Sequence, residues 1–254
     1  MTALREIRIY VDEALHSGVS LRLPKAAAEH VVRVLRLRVG AVLTLFNGRG
    51  GEFAATLSAL ESRVAVVDVG LQRAIERESP LGITLLQGLS RGEKMDWVVQ
   101  KATELGVRRI IPVASERSVV QLEEKRAERR VEHWRDIAIA ACEQCGRNRL
   151  PEVTAPMAMV EACAVTPAEA EGQLMRVMLR PESEISLGRI AAERGHGRHD
   201  LALLIGPEGG FTEAEVAIAS RAGFIGARLG PRVLRTETAA VAALAALQAC
   251  RGDF

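Results

Sequence analysis

The sequence has few cysteines, no long apolar run and neither of the common nucleotide-binding signatures. Cys142, Cys145, Cys163 and Cys250 include one CxxC pair, but the others are scattered and no clustered histidine completes a zinc spacing. Free thiols in a reduced compartment are the expectation, with no metal. No stretch approaches the roughly 18 apolar residues of a membrane-spanning helix, and MTALREIRIYVDEAL carries acidic residues where a signal peptide needs an unbroken apolar region. Both features predict a cytoplasmic protein that does not enter a membrane. Lysine is scarce, since 30 of the 34 basic residues are arginine. Arginine suits bidentate phosphate contacts and stacking on bases, although a general arginine-for-lysine bias gives the same count. A P-loop ending in Gly-Lys-Ser/Thr and a GxGxxG fingerprint are both missing, which argues against the usual phosphate cradles.

What is present is ordinary for a globular chain: 254 residues, 48% hydrophobic and 26% charged, enough for one large or two modest domains. The net charge of +2 is unevenly placed, with +3 on residues 1–75 and −1 on the remainder. From Ile7 to about Gln72, the segments IRIYV, AVLTLFNG, GEFAATLSAL and RVAVVDVGL alternate with glycines, which predicts a small β-barrel or sandwich. Between the first two of them, AAAEHVVRVLRLRVG sets His30, Arg33, Arg36 and Arg38 around an apolar Val31, Val34, Leu35 pattern. That arrangement is either a solvated face or a ridge for phosphates.

After AIERESP, a linker-like stretch at 74–80, the rhythm changes to strands alternating with longer helical patterns. GITLLQGL, RRIIPV, LMRVMLR, LALLIG and ARLG read as strands. EKMDWVVQKATEL, Leu122 to Cys145 and TAAVAALAALQAC read as helices, the first two closed by Gly106 and Gly146. Such alternation predicts a mostly parallel α/β sheet with helices on both faces, whose ligands sit at the carboxyl ends of the strands. The expected boundary gives a domain at 1–74 and another at 75–254.

Three loops follow three of these strands: LRPES (Leu179 to Ser183), GPEGGF (Gly206 to Phe211) and LGPRVLRTETAA (Leu229 to Ala240). In a parallel sheet they emerge at one edge and together can build one pocket. Glycine lets a ligand or another chain approach the backbone closely, and Thr212 with Glu215 has the spacing of a capping box for the helix that follows.

LIGPEGGFTEAEV followed by LGPRVLRTETAAVAAL resembles the RsmE family, the 16S ribosomal RNA uracil-N3 methyltransferases of the SPOUT class. So do RGEKMDWVVQKATELGV, PVASERSVV and EQCGR, and in the first domain HVVRVLRLRVG and LFNGRGGEF. The likeness runs through nearly the whole chain and is weakest at Ala155 to Gly172. It implies a PUA-like N-terminal β-barrel for RNA, a C-terminal SPOUT α/β domain with a deep trefoil knot, and a homodimer. It also implies S-adenosylmethionine as cofactor and 16S ribosomal RNA, within the small subunit, as substrate. Carried onto this sequence, it implies a cofactor site at Leu179, Ile205, Gly206, Pro207, Glu208, Gly209, Leu229, Gly230, Val233 and Leu234. RNA contacts fall to His30, Arg33, Arg36, Arg38 and Arg49. Uracil N3 must lose a proton as it attacks the methyl group, so a base, or a cation that stabilises the anion, is useful. Arg235, Glu237, Glu208, Glu143 and Arg147 are the candidates. Each has a structural alternative: Glu237 can favour the positive end of the last helix, and Glu143 with Arg147 has the i, i+4 spacing of a helix-surface ion pair.

Overall fold

A computed structural model describes residues 6–61, 64–118, 124–164, 174–193 and 200–254. They form two units: residues up to Glu78 together with Ile139–Leu150, and Ser79–Ala138 together with Pro151–Phe254. The division differs from a single cut after residue 74. Residues 75–78 are tied to the segment after Gly146 by polar contacts: Ile75 O accepts from Asn148 Nδ2 at 2.6 Å, Glu76 pairs with Arg149 at 3.1 Å and Glu78 with Arg147 at 2.7 Å. The stretch that reads as a linker is therefore held along much of its length.

In the first unit β1 (Arg8–Tyr10), β2 (Ser20–Arg22), β3 (Val42–Phe46), β4 (Glu52–Glu61) and β5 (Val64–Arg73) make one sheet in the order β1-β3-β4-β5-β2. β1 runs parallel to β3 and the other pairings are antiparallel. Alternate side chains of a strand face opposite sides. Accordingly Phe53, Ala55 and Leu57 of β4, with Ala65, Val67 and Val69 of β5, join Ile9, Leu43 and Leu45 in the core. β2 has no counterpart in the sequence reading, being only three residues with little buried surface. The segment after β2 is α1 (Lys25–Glu29), continued by a π-helical turn at His30–Val34. The wider turn changes the face that the sequence pattern implies. Val31 is buried, but Val34 is 67% exposed, and Arg36 takes a left-handed φ of 51°. Such backbone is uncommon in a non-glycine residue.

The second unit holds β6 (Ile83–Gly88), α2 (Lys94–Glu104), β7 (Arg109–Ala114), α3 (Glu124–Cys145, whose last residues belong with the first unit), β8 (Glu152–Val153), β9 (Met157–Ala158) and α4 (Met159–Ala164). Then come β10 (Met175–Leu179), α5 (Leu187–Glu193), β11 (Leu201–Ile205), α6 (Glu213–Arg221), β12 (Ile225–Ala227) and α7 (Thr236–Arg251). The sheet order is β12-β10-β11-β6-β7-β8, with β9 also on β7, and every pairing among the described residues is parallel. β12 ends before Leu229, so the expected ARLG strand is shifted and Leu229 and Gly230 fall in its following turn. Leu122 and Glu123, and much of Ala155 to Gly172, lie outside the described residues.

Strands buried on both faces explain the continuous apolar runs. Leu86, Ile111, Met178 and Leu204 pack with Met159, Ala162 and Cys163 of α4 and Ala219 of α6. The alternate residues Leu85, Val177 and Leu203, also fully buried, point to the other side, and α7 packs on β11 and against α2 and α5. On α2 the buried Met95, Val98, Val99 and Ala102 recur at helical spacing, and the helix stops where Gly106 adopts φ 80°. The small Ala240 and Ala243 of α7 let it approach closely, with Leu244 and Leu247 filling the core. No helix of the described residues is long and apolar enough to cross a membrane.

Candidate active site at the carboxyl edge of the parallel sheet

β10, β11 and β12 are neighbours and parallel, so the loops that follow them leave the sheet at one edge. A cavity of about 510 Å³ opens there. Of the residues expected to hold a cofactor, Leu179, Ile205, Gly206, Pro207, Glu208, Leu229, Val233 and Leu234 line it. Gly209 and Gly230 belong to the same loops but do not line it. A Cβ on Gly209 would lie 3.1 Å from Arg117 Cβ, and Gly230 has φ 74° with open space around it. The two glycines thus matter for packing and for backbone conformation respectively.

Hydrogen bonds fasten the loops to one another. Gln87 Nε2, at the end of β6, donates to Thr236 Oγ1 at 2.9 Å, and Thr236 Oγ1 donates to Gly206 O at 2.6 Å. Gln87 Oε1 is buried without a partner. The helix after the glycine loop starts with the expected capping box: Glu215 N donates to Thr212 Oγ1 at 3.3 Å and Thr212 N to Glu215 Oε2 at 2.8 Å. Glu215 Oε1 also accepts from Glu116 N at 2.9 Å, which binds the loop after β7 to α6. Sequence spacing shows the first part of this arrangement and not the second.

Among the candidate catalytic residues, Arg235 and Glu208 line the cavity. Arg235 is the N-cap of α7, and Glu237 lies in that helix's first turn. Glu208 Oε1 accepts from Lys94 Nζ at 2.8 Å, and Glu237 Oε2 is 3.7 Å from the same ammonium. Burial alone would raise the Glu208 carboxyl; the Lys94 ammonium and the Arg91 amide outweigh it and hold the group below its usual range. It is ionised at neutral pH and correspondingly weak as a base. Lys94, Arg180, Pro181, Arg232, Thr236 and Ala239 line the cavity without having been singled out. Five of them lie inside the three loops. Lys94 comes from the start of α2, and no local signal marks it.

Glu143 and Arg147 do not line this cavity; they lie in the first unit. Glu143 Oε1 accepts from Tyr10 N at 3.0 Å, and the buried Arg147 pairs with Glu78 at 2.7 Å, so tertiary partners stand in place of the alternative, a helix-surface pair. The CxxC cysteines are free thiols, and burial pushes Cys142 up to about 12. Among the described residues no three His, Cys, Asp or Glu cluster as a metal site. Arg33, Arg36, Arg38 and Arg49 are exposed and His30 is half-buried.

Known proteins match the chain over nearly its whole length. A family model described as an RNA methyltransferase domain matches residues 77–248, and an RNA methyltransferase PUA domain matches 23–69. The ribosomal RNA small subunit methyltransferase E of Buchnera aphidicola (subspecies Schizaphis graminum) is 34% identical, covering 97% of each chain. The Bacillus subtilis protein of the same name is 34% identical over 88% of this chain and 89% of its own. A crystal structure of that enzyme from Neisseria gonorrhoeae, bound to S-adenosyl methionine, has TM-score 0.88 and 39% identity over 98% of this chain and 99% of its own. A Legionella pneumophila protein solved with the cofactor SAM has TM-score 0.91 and 39% identity over 99% of this chain and 100% of its own. With a PUA-like N-terminal domain and the α/β RNA methyltransferase domain matched over most of its length, the chain belongs to the family of ribosomal RNA small subunit methyltransferase E.

Proposed function

We propose that the protein transfers a methyl group from S-adenosylmethionine to N3 of a uridine in 16S ribosomal RNA of the small subunit. The observation that carries this is the cavity built by three loops at one edge of the parallel sheet. Relatives that match nearly the whole chain are solved with that cofactor. The residues present suit it. Leu179, Ile205, Leu229, Val233 and Leu234 offer an apolar wall for an adenine ring, and the glycine loop can present its backbone without intervening side chains. Val233, 81% exposed, is an apolar surface that a ligand would cover. The carboxylate of Glu208 can hold an ammonium group. When bound, the cofactor supplies a methyl group already activated by its sulfonium. The protein's own residues then orient the uracil and stabilise the charge it gains as the N3 proton leaves. Arg235 is assigned that second task, since it lines the cavity with an exposed guanidinium and a cation aimed at the developing anion stabilises it. Lys94 keeps Glu208 and Glu237 in place.

Within the same reading the glycine loop is part of a deep trefoil knot. The first unit binds RNA through His30, Arg33, Arg36, Arg38 and Arg49, and the protein works as a cytoplasmic homodimer. The test is mass spectrometry of nucleosides from small subunits incubated with the protein and methyl-labelled cofactor. Labelled 3-methyluridine is expected, and subunits that bind the protein without gaining label would leave it an RNA-binding factor.

A further inference from the structure

We infer that a second cavity, in the first unit, lined by Glu6, Arg8, His30, Leu35, Ala140 and Glu143, binds an unstacked guanine base of the RNA substrate. The inference rests on the methylation reading for the source of that base.

The cavity measures about 380 Å³, within the range of roughly 300–1,000 Å³ typical of small-molecule sites. Three segments far apart in sequence build it: the start of β1, the π-helical turn and the end of α3. A π-helical turn is a frequent mark of a functional site. Ile7, Leu35 and Ala140 supply aliphatic surface for a flat ring.

The charges in the wall select among ligands. Arg8 is matched by Glu52 at 2.7 Å and Glu6 by Arg73 at 3.1 Å. Glu143 accepts the Tyr10 amide at 3.0 Å and has no salt bridge among the described residues. A phosphate inside this cavity would face a carboxylate that no salt bridge neutralises, whereas a neutral group with N–H donors would complement it. A carboxylate accepts at both oxygens, and guanine presents N1–H and the N2 amino group side by side. Uracil presents one N–H between two carbonyls, which the carboxylate repels. Burial raises the Glu143 carboxyl, and the Tyr10 amide with the nearby His30 and Arg8 only partly opposes this, so donors brought by a ligand relieve a poorly solvated charge. Arg8 Nε is also buried without an acceptor. Proteins commonly read single-stranded RNA by taking up unstacked bases and bonding their Watson–Crick edges.

The test uses the intact protein with labelled Ile, Leu and Ala methyl groups, titrated with GMP and UMP and followed by NMR. GMP is expected to shift Ile7, Leu35 and Ala140 with a Kd roughly tenfold below that of UMP, the scale of one good base-edge contact. Glu143→Gln should remove the preference, and Ala140→Phe, at an exposed helix position, should abolish the shifts at Ile7 and Leu35. Unchanged signals from core methyls of the first unit outside the cavity, Leu43, Leu57 and Ala65, would show that both variants fold. No shift at these methyls, equal affinity for the two nucleotides, or unaltered selectivity in Glu143→Gln would overturn the proposal. Because the titration contains neither methyl donor nor ribosomal subunit, its failure is distinguishable from failure of the labelled-nucleoside assay.

Discussion

Thr236 Oγ1 donates to the carbonyl of Gly206 across 2.6 Å, and so the first residue of α7 is bonded to the first residue of the glycine loop. Gln87, on a third segment, donates to the same hydroxyl. Thr236→Val keeps the shape and removes both bonds. It should destabilise the protein by about 1–3 kcal/mol, the cost of leaving buried polar groups unpaired, and weaken binding of S-adenosylmethionine. Chemical denaturation and calorimetry would measure the two effects. A variant with unchanged affinity would show that the loops hold the cavity without this link.

The two glycines that do not line the cavity should respond differently. Gly230→Ala meets no neighbour but must adopt φ 74°, a strain of about 1–2 kcal/mol. Gly209→Val collides with Arg117, whose Nη1 donates to Gly209 O at 3.1 Å, and so distorts the loop itself. Thermal unfolding should therefore register the first change and cofactor calorimetry the second, with Gly230→Val combining strain and bulk to abolish binding. Full affinity in both valine variants would move the cofactor elsewhere.

Arg235→Lys keeps a charge at the cavity wall and loses the planar fork that can hold two acceptors. If the guanidinium stabilises the uracil anion, single-turnover methylation with both substrates saturating should slow by ~100-fold or more. A rate within about threefold of wild type, far short of that range, would leave Arg235 only its place as N-cap of α7.

Arg33, Arg36 and Arg38 are all exposed. Replacing the three with alanine should weaken binding to the small subunit and flatten its dependence on salt, because each lost phosphate contact removes counterion release. Cofactor affinity should not change. An unaltered salt slope would return these residues to a solvated face.

Glu52 is the ionic centre of the first unit, 2.7 Å from Arg8 and 3.2 Å from Arg77. Burial alone would raise its carboxyl, but hydrogen bonds from Arg8, Asn148 and Arg77 outweigh this and hold it below the ordinary 4.5. A depressed folded pKa means stability that is present above the unfolded value and lost as pH falls through the folded one. Unfolding measured below pH 4.5 should show this loss in the wild type. In Glu52→Gln the loss should be smaller, the remainder coming from carboxyls such as Glu6 and Glu208 that are also held low, with stability at neutral pH lower by about 3–5 kcal/mol because Arg8 stays buried without its partner.

Much of the fold could be read locally. Apolar runs gave the strands of the parallel sheet, glycines at positive φ closed α2 and α3, and the Thr212–Glu215 spacing started α6. In each case the deciding physics acts within one or two turns of chain: hydrophobic periodicity, free amides at a helix end, and a backbone that glycine adopts easily. Three parallel strands were also enough to place LRPES, GPEGGF and LGPRVLRTETAA at one edge, and most of the cavity lining followed. The rest depended on partners far along the chain. Lys94 reaches Glu208 because α2 begins beside the glycine loop. Glu143 meets the Tyr10 amide, and Arg147 meets Glu78, only because the end of α3 packs with the first unit. The π-helical turn shifted Val34 to the surface against its apolar pattern. Periodicity records which side chains avoid water; the charge or amide that each polar group meets is settled when segments dozens of residues apart are packed together.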